Sequence, residues 1–294
     1  MSKITLSNPG KILAIFLLTG AMFLLVSGYG GKGMADRQIT NSIQSLKQVS
    51  PQQWKALSQK KIFFGHQSVG NNIMQGIGEV QANDPEIHLN IIRTKDRADF
   101  VKPVFAHSEI GKNDYPLTKI KDFVHLMEDG FGDRLDMAFM KFCFVDINSK
   151  TDIHKIIDNY RKSIEELHAR YPDMTIIHFT VPLLRKEKTS TINSVKNFVK
   201  GIMGKKKENF FSSSHNAARN EYNKLLLRYY GGKEPVFDLA KLESTDPAGN
   251  RQTFTYDGRK YYALTPEYTE DGGHLNLKGR KYIAEQLLIF LAKL

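Results

Sequence analysis

Two short segments carry residue types that can do nucleophilic and acid–base chemistry. The first, Gly65-His66-Gln67-Ser68-Val69-Gly70-Asn71-Asn72, directly follows the apolar stretch Lys61 to Phe64, which reads as a strand. In α/β sheets, sites gather at the carboxyl ends of parallel strands. A serine at such a strand-to-helix turn lies near the positive end of the helix, where backbone N–H groups can hold a developing oxyanion. The same position is also a preferred N-cap, which accounts for a serine without any chemistry. The second segment, Thr269-Glu270-Asp271-Gly272-Gly273-His274-Leu275-Asn276, stands just before the last helical pattern. Asp271 and His274 are three apart, so a tight turn brings both side chains to one side. The carboxylate can then accept from one imidazole nitrogen while the other faces a hydroxyl, which fixes the tautomer able to take a proton. Gly272 and Gly273 permit the positive φ such a turn requires. Read alone, this segment is equally a helix-start loop in which Asp271 caps and His274 is incidental.

The elements that must position these residues follow an alternating pattern. Strands are expected at Lys61 to Phe64, His88 to Arg93, Met137 to Ile147, Met174 to Phe179 and Val236 to Leu239. Helices are expected at Trp54 to Lys60, Val69 to Val80, Leu117 to Met127, Ile153 to Tyr171, Ala217 to Tyr230 and Leu277 to Leu294. The run Met137 to Ile147 is nearly unbroken in its apolarity, as a central strand buried on both faces would be. Alternation of this kind specifies an α/β fold, with a parallel sheet covered on both sides.

Composition narrows the function classes. Of 294 residues, 41% are hydrophobic and 25% charged, the balance of a globular chain. Lys and Arg number 42 against 31 Asp and Glu, a formal charge of +11 that favours anionic surroundings. No zinc-finger spacing or RNA-binding aromatic signature occurs, so nucleic acid is not expected as a partner. The single cysteine, Cys143, excludes an intrachain disulfide framework. His66, His107 and His274 are scattered, without the His-x-x-x-His or His-Glu-x-x-His spacing of a metal site, and no metal or other cofactor is expected. At the N-terminus, Lys3 and Lys11 precede an uncharged apolar run, Ile12 to Val26, the layout of an export signal. Residues 1–35 are therefore expected to be a cleaved signal or an N-terminal membrane anchor, placing the protein in the periplasm or at the cell surface. Residues 36–60 read as a lead-in and residues 61–294 as one domain. Within it, the basic stretch 185–211, with Lys205, Lys206 and Lys207, interrupts the alternation and is expected to be a solvated loop, a lid, or a contact to an anionic membrane surface made by a short basic amphipathic helix.

Taken together, in this order and at opposite ends of an α/β chain, the two segments resemble the SGNH/GDSL hydrolase superfamily. There a serine follows the first core strand, and an Asp-x-x-His pair precedes the last helix. The resemblance spans residues 60–294 and is supported by Leu275-Asn276 and Gly279, by Arg219-x-x-Tyr222-Asn223, and by Val236-Phe237-Asp238-Leu239. It implies a three-layer α/β/α sandwich of SGNH or flavodoxin-like type, with Ser68 as nucleophile, His274 as general base and Asp271 as the acid orienting it. The reaction implied is ester hydrolysis through an acyl-enzyme, on O-acyl groups of an envelope carbohydrate or lipid. An acyltransferase acting on an envelope polysaccharide, or a non-catalytic binding module, are the alternatives. The chain departs from the pattern in two places. Gly-Asp-Ser becomes Gly65-His66-Gln67-Ser68, and the central run ends Cys143-Phe144-Val145-Asp146 without the superfamily's Gly-x-Asn-Asp turn. A Gly111-Lys112-Asn113-Asp114 string occurs earlier, so Gly111 and Asn113 are the expected oxyanion donors, together with the Ser68 N–H. His66 and Asn72 are the expected substrate contacts, and Lys141 and Asp146, flanking the central run, are read as an ion pair, a surface end or substrate contacts.

Overall fold

The computed structural model describes residues 45–186 and 211–294. The export segment, the first part of the lead-in and all but the ends of the basic stretch lie outside these residues. Seven α-helices are described: α1 (Pro51–Ser58), α2 (Val69–Asn83), α3 (Pro116–Leu126), α4 (Ile153–Arg170), α5 (Ser213–Tyr230), α6 (Leu239–Glu243) and α7 (Leu277–Ala292). The described strands are β1 (Lys61–His66), β2 (Ile91–Arg93), β3 (Val104–Glu109), β4 (Met137–Met140), β5 (Thr175–Phe179), β6 (Val236–Phe237), β7 (Thr253–Tyr256) and β8 (Arg259–Tyr262).

Six strands form one sheet in the order β2-β3-β1-β4-β5-β6, all pairs parallel. Its two faces are sorted by the period of two along each strand. Ile62, Phe64, Phe105, Met137, Phe139 and Ile177 enter one core, with α1, α2 and α7. Phe63, Val104, Ala106, Ala138, Met140 and Ile176 enter the other, with α3, α4 and α5. The molecule is therefore the three-layer α/β/α sandwich that the sequence implies. Both edge strands are short, which limits the row of unpaired backbone groups they present.

Several elements differ from the sequence reading. β3 is not evident in the sequence, because Pro103 and the polar tail His107-Ser108-Glu109 leave only three apolar residues in register; it sits between β2 and β1. The run Met137 to Ile147 is a strand only as far as Met140, and residues 141–147 form a buried turn whose apolarity reflects depth rather than pairing. Helix α5 starts at Ser213, four residues before Ala217, capped by Ser212 on the His215 N–H. The antiparallel hairpin β7–β8 turns on Asp257-Gly258, both at positive φ, a turn signal legible in the sequence that the alternating pattern obscured.

The closest helix pair brings the two chemical segments together. α2 and α7 approach at Gly76, where a Cβ would lie 2.3 Å from the Arg280 carbonyl oxygen. Glu79 on α2 accepts a fork of hydrogen bonds from Arg280 on α7, at 2.6 to 3.1 Å. Ser68 immediately precedes α2, and His274 lies three residues before α7. Gly76→Ala is expected to force the two helices apart and destabilise the protein by roughly 1–3 kcal/mol, the usual range for overpacking. Equilibrium denaturation measures the loss, and an unchanged midpoint would show that the helices yield there at no cost.

Candidate active site

Ser68 does not cap the helix that follows it. Its side chain makes no capping bond, and its backbone sits at φ 53°, ψ −110°, in the left-handed half of conformational space that serine avoids. Such a conformation costs about 1–3 kcal/mol and lifts the side chain off the helix axis. Ser68 Oγ instead lies 2.6 Å from His274 Nε2, bridging 206 residues of sequence. On the other side of the ring, Nδ1 lies 2.9 Å from Asp271 Oδ2. A carboxylate only accepts, so Nδ1 carries the proton, and in the neutral ring Nε2 is left to accept from the serine hydroxyl.

Asp271 is held as tightly as it holds. Its Oδ1 accepts from the N–H groups of Gly273 and His274, both at 2.8 Å. Burial opposes its charge, but the His274 ring and these two N–H groups outweigh burial and hold the carboxyl below the ordinary aspartate range. Gly272, at φ 93°, makes the turn, and Gly273 has no room for a Cβ, which would meet Leu184 at 2.8 Å. Phe144 meets the His274 ring edge-on at 5.7 Å between centroids. Asn72, expected to touch substrate, accepts from the Leu275 N–H at 3.2 Å and so ties the His274 loop to α2.

Other expected residues stand elsewhere. His66 is wholly buried; its Nε2 meets His107 Nδ1 at 3.0 Å, and Gly70 leaves room for its ring. Inward orientation at the end of β1 removes it from any substrate at the surface. The Gly111 N–H donates to Asp122 Oδ2 at 2.9 Å and is committed there rather than aimed at an oxyanion, while its φ of +53° turns the loop. Asn113 presents a half-buried amide, its Oδ1 accepting from Lys119 Nζ at 2.8 Å. Lys141 and Asp146 are both buried but are not partners: Asp146 pairs with Lys119 at 2.5 Å. The Ser68 N–H has no acceptor among the described residues. Beside this loop opens a cleft of about 640 Å³ whose lining includes Gln67, Glu109, Thr118 and Lys121. Among the described residues no group of His, Cys, Asp and Glu side chains converges as a metal site requires.

Several buried polar residues that the sequence reading gives no role hold the loops around the site. Asn216 pairs with both the N–H and the carbonyl of Leu184, and Asn223 does the same for Val181. The segment they fix then accepts the His274 loop, Arg185 N–H donating to Gly272 O at 2.9 Å. Arg219 Nε donates to the Phe144 carbonyl at 2.7 Å. Arg219 and Asn223 belong to the Arg219-x-x-Tyr222-Asn223 string that supports the resemblance, whereas the only signal of Asn216 is polarity on the buried face of a helix.

No protein-family model matches the sequence, and no curated protein does. Among solved structures, the chain is similar to a lipolytic G-D-S-L family protein from Veillonella parvula, at 16% identity over 78% of this chain and 95% of the other, TM-score 0.41. It is also similar to the periplasmic domain of the lipopolysaccharide acetyltransferase of Salmonella Paratyphi A, at 13% identity over 76% and 80%, TM-score 0.40.

Glu243, fully buried under the 181–184 segment, has one oxygen on the Leu183 N–H and the other without a partner. Burial raises its carboxyl to about 8, although the Leu183 N–H and nearby Lys141 work against the shift. Unfolded, the same carboxyl ionises near 4.5, so between these values the folded state holds a proton the unfolded state has released, and stability falls as pH rises. Glu243→Gln, which mimics the protonated form, should match the wild type in Tm near pH 5. It should exceed the wild type increasingly toward pH 8 in thermal melts. A Tm difference independent of pH would show that Glu243 is ionised throughout.

Proposed function

We propose that the protein is a serine esterase of SGNH type. The observation that carries this reading is the hydrogen-bonded chain Ser68–His274–Asp271, built on a strained strand-to-helix turn. His274 Nε2 takes the Ser68 proton as Oγ attacks the ester carbonyl. The tetrahedral oxyanion is received by the Ser68 N–H and the Asn113 Nδ2 amide. His274 then returns the proton to the leaving alcohol, giving an acyl-serine. Water, deprotonated by the same nitrogen, attacks that acyl group, and the carboxylic acid leaves with Ser68 restored. Asp271 keeps Nδ1 protonated and stabilises the imidazolium without taking its proton.

On the substrate side, the cleft beside the Asn113 loop offers Gln67, Glu109, Thr118 and Lys121 as hydrogen-bonding side chains, which supports O-acyl groups of a carbohydrate as substrate, with a lipid ester as the alternative. With the basic, then apolar N-terminus, this reading places the enzyme outside the cytoplasm, acting on the cell envelope. Contact with an anionic surface through the lysines of 185–211 belongs to the same proposal. Ser68→Ala is expected to lower kcat on a small soluble ester by about 10⁶-fold and to abolish labelling by a fluorophosphonate. Asp271→Asn, which reverses the hydrogen bond to Nδ1, should cost about 10⁴-fold in kcat with the fold intact by circular dichroism. Retention of most of the ester-cleaving rate by Ser68→Ala would sink the proposal.

A further inference from the structure

The loop carrying Asn113 is bound at every residue. Gly111 N–H donates to Asp122 Oδ2 at 2.9 Å, and Lys112 N–H donates to Thr118 Oγ1 at 2.9 Å. Asn113 Oδ1 accepts from Lys119 Nζ at 2.8 Å, and Asp114 N–H donates to Asp146 Oδ1 at 2.9 Å. Three of the four partners, Asp122, Thr118 and Lys119, project from α3. The fourth, Asp146, belongs to the turn after β4 and also accepts from the Cys143 N–H at 2.6 Å. Gly111 lets the loop lie directly on α3, for a Cβ there would stand 2.5 Å from the Lys119 backbone nitrogen. Amid this bonding, the Asn113 Nδ2 group makes no hydrogen bond to any described residue, and it is the donor the proposed mechanism requires.

An asparagine amide can flip, exchanging its acceptor for its donors. An ammonium has only donors, so a lysine fixed beside the amide admits one of the two orientations. Lys119 is wholly buried, with Asp146 Oδ2 at 2.5 Å. Burial opposes its charge, but Cys143 and Asp146 outweigh burial and hold the ammonium above the ordinary lysine range. A cation kept charged in a dry site is also kept donating.

We propose that Lys119 is a positioning residue for this site: its ammonium, locked against Asp146, pins the Asn113 carbonyl oxygen and so turns Nδ2 outward as a preset oxyanion donor. This rests on the esterase reading above for its catalytic consequence, but not for the pinning itself. Preorganisation of this kind acts in the transition state, so its loss falls on kcat rather than KM.

The test is a double-mutant cycle on a small aryl acetate, using Asn113→Ala, Lys119→Met and the combination. Because Lys119→Met strands a buried carboxylate, Lys119→Met/Asp146→Asn is made in parallel, with and without Asn113→Ala. Each route is expected to lower kcat by roughly 10²-fold with KM within about twofold, as removal of one oxyanion donor does. Adding Asn113→Ala should then cost nothing further. Losses that multiply, or an unchanged kcat without Lys119, would overturn the proposal, since a lysine that merely stabilises the fold would not act through Asn113. A readout independent of turnover is the Asn113 side-chain NH₂ signal in ¹⁵N NMR, assigned by its absence in Asn113→Ala. Its heteronuclear NOE should drop when the Lys119–Asp146 pair is removed, and an unchanged NOE overturns the pinning. Should Ser68→Ala retain the ester-cleaving rate, the esterase reading fails, while this signal still decides whether Lys119 holds Asn113.

Discussion

Everything at the carboxyl end of the sheet depends on how closely α2 and α7 pack. The two helices touch backbone to backbone at Gly76, and the Glu79–Arg280 fork sets their rotation. Ser68 and His274 are extensions of these helices, so the 2.6 Å contact between them inherits its distance from the helix interface. A part-exposed ion pair contributes little stability in itself. Here its planar, two-bonded geometry fixes orientation, which a single point contact would not. Asn72, reaching from α2 to the Leu275 N–H, adds a second tie about two turns nearer the site.

Beyond that interface, the loops lack the ladder bonds that satisfy backbone groups within the sheet. Buried N–H and carbonyl groups must find partners all the same. The chain supplies them from side chains: Asp146 for the turns after β3 and β4, Asn216 and Asn223 for the segment after β5, Asp271 for the His274 turn. One consequence is an unusual concentration of buried polar and charged residues on the side of the sheet where the chemistry would occur. Breaking any one of them leaves its partner buried and unsatisfied, which is costly in a low-dielectric interior. The loops are thereby rigid without belonging to regular structure.

This division explains what the sequence discloses. Apolar periodicity marks α2, α4 and β1 because their burial is one-sided or complete and regular. Ser68, Asp271 and His274 are legible because their spacing to neighbouring elements is short and their chemistry is specific. β3 is obscure because half its residues are polar, and the end of β4 is obscure because a buried turn is as apolar as a buried strand. Lys119 is invisible to pattern analysis, for a lysine on a helix reads as a solvent-facing charge. Only the tertiary contact with Asp146, 27 residues away, reveals that it points inward. Gly111 shows the opposite limit: the resemblance marks it as an oxyanion donor, and only the structure shows that its N–H is already committed to Asp122.

The backbone at Ser68 bears on what folding alone would select. A residue held at positive φ between a strand and a helix is the natural place for glycine, or for asparagine, each of which enters that region at lower cost. Serine there makes the folded state less stable than the same scaffold could be, and it does not recover the loss by capping the helix. Two demands on one position have therefore been settled against thermal robustness. The fold keeps a deliberate weak point at the head of α2, and the interlocking of α2 with α7 is the reserve that lets it do so.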